Sequence, residues 1–259
     1  MKSRLFYCLA LGLLLSAPLH ASITLVGSPQ IASDNATTGN TTFSGVTVMA
    51  GDYVVVATAS NKSFAQNQLT YSWSGTEGSS GVSTSLSVEQ SFASYLSYTS
   101  VITAGTYDFN VLAANSTLTA SSALYILRSG AGETITVANT ASQASASASA
   151  ANLSYLFGSN LTSAMAIEAA TTRFGGAFTL DSNYITPNST AASSGRLLSY
   201  STGVTGSTWS SSNPFTTTPS DIAAIGAVFT TTASLTPEPS RTLLLAAGLV
   251  AMILRHRRP

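Results

Sequence analysis

Leu69-Thr70-Tyr71-Ser72-Trp73-Ser74 is the stretch that decides the fold class. Large apolar and small polar side chains alternate there residue by residue. That is the period of a β-strand with one dry and one wet face, not the 3.6-residue period of a helix. Working outward, the alternation returns in Thr106-Tyr107-Asp108-Phe109-Asn110-Val111, in Thr134-Ile135-Thr136-Val137 and in Phe178-Thr179-Leu180-Asp181. Residues 53–57 and 222–229 are more continuously apolar, as expected of central strands covered on both faces. Gly39-Asn40, Gly51-Asp52 and Gly175-Gly176, with single glycines between them, supply the turns. About a dozen short strands with such punctuation predict an all-β body built as a single β-sandwich. Trp73, in phase with Leu69 and Tyr71, belongs on its core face. Residues 138–152 are low in complexity, with Ser and Ala alternating, and read as either a flexible connector or an edge strand.

The 259 residues carry ten cations and ten anions, but the charges are segregated. Lys2, Arg4, Arg241, Arg255, Arg257 and Arg258 lie toward the two ends. Residues 22–235 hold four cations (Lys62, Arg128, Arg173, Arg196) against nine anions, a net of −5. A mildly acidic, cation-poor body repels phosphate backbones and argues against nucleic acid as a partner. Recurrent Tyr, Phe, Val, Ile and Leu distinguish it from a disordered polar tract. The only cysteine, Cys8, sits in the apolar leader, so the body has no disulfide to form.

Lys2 and Arg4, an apolar run over residues 5–17, Pro18 and the small Ala21 follow the order of a secretory signal, cleaved by signal peptidase between Ala21 and Ser22. Residues 1–21 are therefore read as leader, 22–235 as body and 236–259 as tail. The tail runs Pro237-Glu238-Pro239-Ser240, Arg241, an apolar stretch over 242–254, then Arg255-His256-Arg257-Arg258. Two prolines hold the backbone extended where a protease reads it. The apolar stretch predicts a short hydrophobic helix rising ~20 Å, less than a full membrane span. Arg255, Arg257 and Arg258 are placed to stay cytoplasmic and stop transfer.

This three-part tail resembles the PEP-CTERM sorting signal. The resemblance covers about 24 residues and is silent on the body. It implies an exported protein processed at Pro237–Ser240 by an exosortase-type membrane protease. The destination implied is the outer surface or the medium, after transient anchoring in the inner membrane. It also implies frequent company with exopolysaccharide. The body itself is similar, diffusely, to jelly-roll modules of concanavalin-like or galactose-binding-like shape.

Histidine carries the strongest exclusion. His20 and His256 are the only two, one in the leader and one in the tail. A processed body then lacks both His and Cys, which removes Ser-His-Asp triads, cysteine nucleophiles and ordinary zinc sites. No phosphate-binding Gly-rich loop ends in Lys-Ser/Thr, and no motif calls for a cofactor. Carboxylates pass this filter. Glu133, Glu168 and Asp181 lie in or near strands, where two acids at glycosidase spacing can act on sugars. Glu168, with Arg173 nearby as a salt-bridge partner, reads as structural or surface acid. Asp34-Asn35 and Asp52 are oxygen donors of the kind calcium takes, without an EF-type loop. Trp209, in Gly206-Ser207-Thr208-Trp209-Ser210, has a loop-like setting and is the candidate exposed aromatic for glycan contact. The expectation is a non-catalytic structural or adhesive surface protein. A carbohydrate-binding module and a carboxylate-dependent glycoside hydrolase or polysaccharide lyase are the alternatives.

Overall fold

The computed structural model describes residues 22–33, 40–60, 69–75, 77–86, 93–113, 120–173, 176–187, 195–216 and 220–233. Ala21, the segment Asp34-Asn35 and the whole tail, including Pro237–Ser240 and Arg255, Arg257 and Arg258, lie outside them. The protein is all-β. Among the described residues the strands are β1 (Ile23–Leu25), β2 (Gln30–Ser33), β3 (Thr41–Val48), β4 (Tyr53–Ser60), β5 (Leu69–Trp73), β6 (Glu77–Leu86) and β7 (Ala93–Val101). There follow β8 (Gly105–Ala113), β9 (Ala120–Ser129), β10 (Glu133–Ala148), β11 (Ala150–Thr172), β12 (Arg196–Pro214) and β13 (Ser220–Ala233). None of the described residues forms a helix long and apolar enough to cross a membrane.

These strands make three antiparallel sheets. One has the order β1-β9-β4-β7-β6 with β2 also on β9, the second β10-β13-β11-β12, and the third β3-β8-β5. The first sheet is the middle layer. On β4, Tyr53, Val55 and Ala57 pack toward Met165, Ile167, Ile225 and Phe229 of the second sheet. The intervening Val54 and Val56 pack toward Phe43, Val46, Phe109 and Val111 of the third. Strand alternation thus feeds two cores from one strand, which is why β4 is buried at all eight positions. The body therefore has three stacked layers where a single sandwich has two. β4 and β13 are the central strands that their apolar runs predicted. Trp73 is half-buried against the outer core, stacked on Phe109 at 4.9 Å between ring centroids. Residues 133–148 form β10 at the edge of the second sheet, which resolves the low-complexity stretch as an edge strand running into β11.

One ion pair ties the middle layer. Asp52 is 1% exposed; Arg128 of β9 grips it through Nε and Nη2 at 2.6 and 2.7 Å, and the Met49 amide donates to it at 2.8 Å. Its oxygens thus serve the Arg128 guanidinium and the β3–β4 turn. Asp52→Ala removes a bidentate, charge-assisted contact and leaves a turn amide unanswered. It should cost about 2 kcal/mol in urea unfolding at neutral pH, with Asp52→Asn losing less.

The second sheet departs most from a flat layer. The outer half of β11, Ala150 to Leu156, pairs only with β12, from Pro214 to Thr208. Its inner half, Ala164 to Thr172, pairs with both β12 and β13. Register shifts at Leu156/Leu161, Leu161/Ala164 and Ala164/Ala166 mark bulges between the halves, and bulges bend strands. The outer half returns over its own sheet. There Asn139 Nδ2 donates to the Leu156 carbonyl at 2.8 Å, and the Asn152 amide to Gln143 Oε1 at 2.6 Å. A third core fills the enclosed face, with Leu153, Tyr155 and Phe157 against Ala166, Ala170, Ala224 and Val228.

Candidate functional site

Glu168 sits on the inner half of β11, in phase with Ala164, Ala166 and Ala170 on the enclosed face, and is 3% exposed. Small alanines beside it leave volume for its carboxyl and for the rings that reach it. Directly across the ladder is Gly226 of β13. A Cβ there would overlap the Tyr155 hydroxyl and come within 2.8 Å of Glu168 Cγ, so the missing side chain is what admits the tyrosine.

Three hydroxyls converge on the carboxyl. Tyr155 donates at 2.9 Å, Tyr184 at 2.6 Å, and Ser211 contacts both oxygens at 2.8 and 2.9 Å. Tyr155 comes from the returning half of β11 and Ser211 from the outer half of β12. An extended strand would carry Tyr155 roughly 40 Å from Glu168 over 13 residues, so the contact exists only because the hairpin folds back. Tyr184 comes from the segment 176–187, anchored by paired hydrogen bonds between Ile185 and Tyr200 at 2.8 and 2.9 Å. Asp181 shapes that segment: its carboxylate accepts the Asn183 and Ser212 amides at 3.0 and 3.1 Å, as a turn-forming Asp does.

Burial pushes the Glu168 carboxyl from its ordinary 4.5 up to about 7; the hydroxyls from Tyr184, Ser211 and Tyr155 pull it down, and the charge of Asp181 adds to the rise. The protonated acid fits the same partners, with Oε1 accepting from the tyrosines and the proton on Oε2 directed to Ser211 Oγ. Burial, then the nearby Glu168 charge, raises the Tyr155 and Tyr184 hydroxyls well above their ordinary value, so both stay protonated.

Trp209 completes the chain. Its Nε1 donates to the Tyr184 oxygen at 3.0 Å, and that hydroxyl donates onward to Glu168. Expected in a loop, Trp209 lies in β12, in phase with Ser211, half-buried against the third core. Beside it opens a cleft of about 540 Å³, lined by Ser154, Tyr155, Leu156, Asn183, Thr208, Trp209 and Ser210. Leu156 is 71% exposed.

The structure thus joins three sequence candidates, Glu168, Asp181 and Trp209, in one place. Glu133 stands apart at the start of β10, where its Oε2 accepts the Ser22 amide at 3.3 Å. The expected partner of Glu168 is replaced by hydroxyls, for Arg173 is exposed at the end of β11 while Glu168 is enclosed. Tyr155, Tyr184 and Ser211 were not legible as site residues. The available signal was a lone acid in the apolar run Met165-Ala166-Ile167-Glu168-Ala169-Ala170, which demands buried polar partners. No group of three or more His, Cys, Asp or Glu placed to hold a metal occurs among the described residues. Comparison with protein-family models, curated proteins and solved structures finds no match.

Proposed function

We propose that this chain is an exported protein of the cell surface or extracellular matrix, with a non-catalytic structural or adhesive role. A PEP-CTERM-like tail would sort it. The observation that carries the non-catalytic part is the state of the two acids near Trp209. Both Glu168 oxygens are occupied by hydroxyls and Asp181 holds backbone amides, so neither is poised against a substrate. The export part rests on the leader and on Pro237–Ser240 with the arginines behind them. Its partners are signal peptidase, an exosortase-type protease and, at the surface, exopolysaccharide. A jelly-roll sandwich is the finer reading of two of the three layers, supported by the face-to-face packing of antiparallel sheets across one core, with the remaining sheet stacked outside them.

Processing provides the test. Mass spectrometry of released protein should find an N-terminus at Ser22 and a C-terminus within residues 237–240. Replacing Pro237, Glu238 and Pro239 by alanine should leave a larger, membrane-held form, because the apolar stretch and arginine stop persist while the recognition site is gone. Released protein that still contains Leu254 contradicts the sorting reading. One observation favours a glycoside hydrolase or lyase instead: Glu168 keeps its proton near neutrality, as a general acid must. Release of reducing or unsaturated sugar ends, lost in Glu168→Gln, would establish that reading.

A further inference from the structure

We propose that one end of the body rests on a lipid bilayer while the chain is anchored, with Met49 and Ile102 entering the headgroup region. The proposal rests on the export reading for its leader and tail, and adds which surface meets the membrane. Ser22, the first residue after the leader, donates its amide to Glu133 Oε2 at 3.3 Å. Glu133 in turn pairs with Ala233 at the end of β13, the last described residue before the tail. Leader and tail therefore leave the body from the same end. That end also carries the turns joining β3 to β4, β7 to β8 and β9 to β10, for Tyr53 pairs with both Ser100 and Leu127, and Ile23 with Ser129. The Gly51 amide, donating to the Val101 carbonyl at 2.8 Å, holds the first two turns together.

The three turns read Met49-Ala50-Gly51, Ile102-Thr103-Ala104 and Gly130-Ala131-Gly132, without a charge among them. Met49 is 56% and Ile102 54% exposed, each in a connection between strands and not on a sheet face. Asp52, the nearest charge in sequence, is buried against Arg128. Two apolar side chains in an uncharged setting suit the boundary between headgroups and acyl chains, where apolar atoms leave water and no ion is desolvated. Tether length decides the occupant. Four residues, 18–21, join the apolar leader run to Ser22 and reach at most about 18 Å. The apolar stretch of the tail starts at Thr242, within about 32 Å of Ala233. β4 alone, Tyr53–Ser60, carries the opposite end of the body roughly 24 Å away. A leader in the membrane thus holds this end, and not the other, against the lipid. Held there, two contacts too weak to recruit a free protein act at the high effective concentration of a tether.

Cys8 is the only cysteine, so Cys8→Ser in the full chain gives a background for single reporters. Met49→Cys, Ile102→Cys, Leu112→Cys and Leu156→Cys would each carry a bimane label. Leu112 is an exposed apolar residue of β8 at the opposite end, and Leu156 one on the β11–β12 flank. The chain is reconstituted in vesicles of phosphatidylethanolamine and phosphatidylglycerol that contain a brominated lipid as quencher. Labels at positions 49 and 102 should be quenched about three-fold or more above those at 112 and 156. A second measurement leaves the reporter position untouched: a label on Ala131→Cys should lose about half of its quenching or more when Met49 and Ile102 are both replaced by Asp, with circular dichroism unchanged. Quenching at 49 and 102 no greater than at 112, or greatest at 156, overturns the proposal, because the body then hangs free or lies on its flank. A chain that fails to float with the vesicles overturns the export reading together with this one. Flotation with water-like labels at 49 and 102 overturns this proposal alone, so the two failures are distinguishable.

Discussion

Gly226→Ala is expected to destabilise the protein by about 3 kcal/mol, lowering Tm by roughly 6–12 °C in a domain of this size. One methyl group is enough because its place is already taken. The Cβ would overlap the Tyr155 hydroxyl, approach Glu168 Cγ at 2.8 Å and meet the Ile167 carbonyl at 3.1 Å. The carbonyl belongs to the ladder and cannot give way, so the tyrosine must move. When it moves, Glu168 loses a donor in a place water does not reach, adding about 1–3 kcal/mol to the packing strain. Tyr155→Phe in the same chain removes the overlapping oxygen and should recover part of the loss, giving a coupling energy above about 0.5 kcal/mol in a double-mutant cycle. Additive effects of the two changes would mean that the outer half of β11 does not lie on Gly226.

Stability should also fall as pH rises from 5 to 8. Glu168 titrates near 4.5 in an unfolded chain and at about 7 in the folded one. Between these values the native state holds a proton that the unfolded state has released. The contribution is thus fully present below about pH 4.5 and lost as pH rises through about 7, at up to about 1.4 kcal/mol per pH unit and on the order of 3 kcal/mol in all. Thermal unfolding across pH 5–8 would show the decline. Glu168→Gln keeps the neutral shape and its hydrogen bonds to Tyr155, Tyr184 and Ser211, so it should flatten the curve and match or exceed the parent at pH 8. A parent curve that rises over the same range would show that Glu168 is held as a carboxylate.

The sequence was informative where one residue and its neighbours carry the physics. Alternation in Leu69–Trp73 and in residues 106–111 is local, because a strand's two faces are set by the pleat alone, and those segments are β5 and part of β8. The apolar runs at 53–57 and 222–229 marked central strands for the same reason, since nothing polar survives on a strand covered on both faces.

Residues 138–152 and Trp209 were harder. Alternating Ser and Ala has weak preference for any partner, so β10 becomes a strand only because the β13 edge is there to pair with it. Trp209 sits among Ser, Thr and Gly that resemble a loop, yet pairing with Tyr155 makes it a strand residue.

Composition and periodicity by themselves therefore determined an all-β body, its central strands, its acidic balance and the absence of histidine and cysteine between the two ends. Only the tertiary structure decided that three sheets stack, that β11 doubles back, and that Glu168 meets Tyr155, Tyr184 and Ser211. The physical reason is reach: those contacts join residues 13 to 43 positions apart, across bulges whose bend no local pattern encodes, in a volume opened by one absent side chain at Gly226.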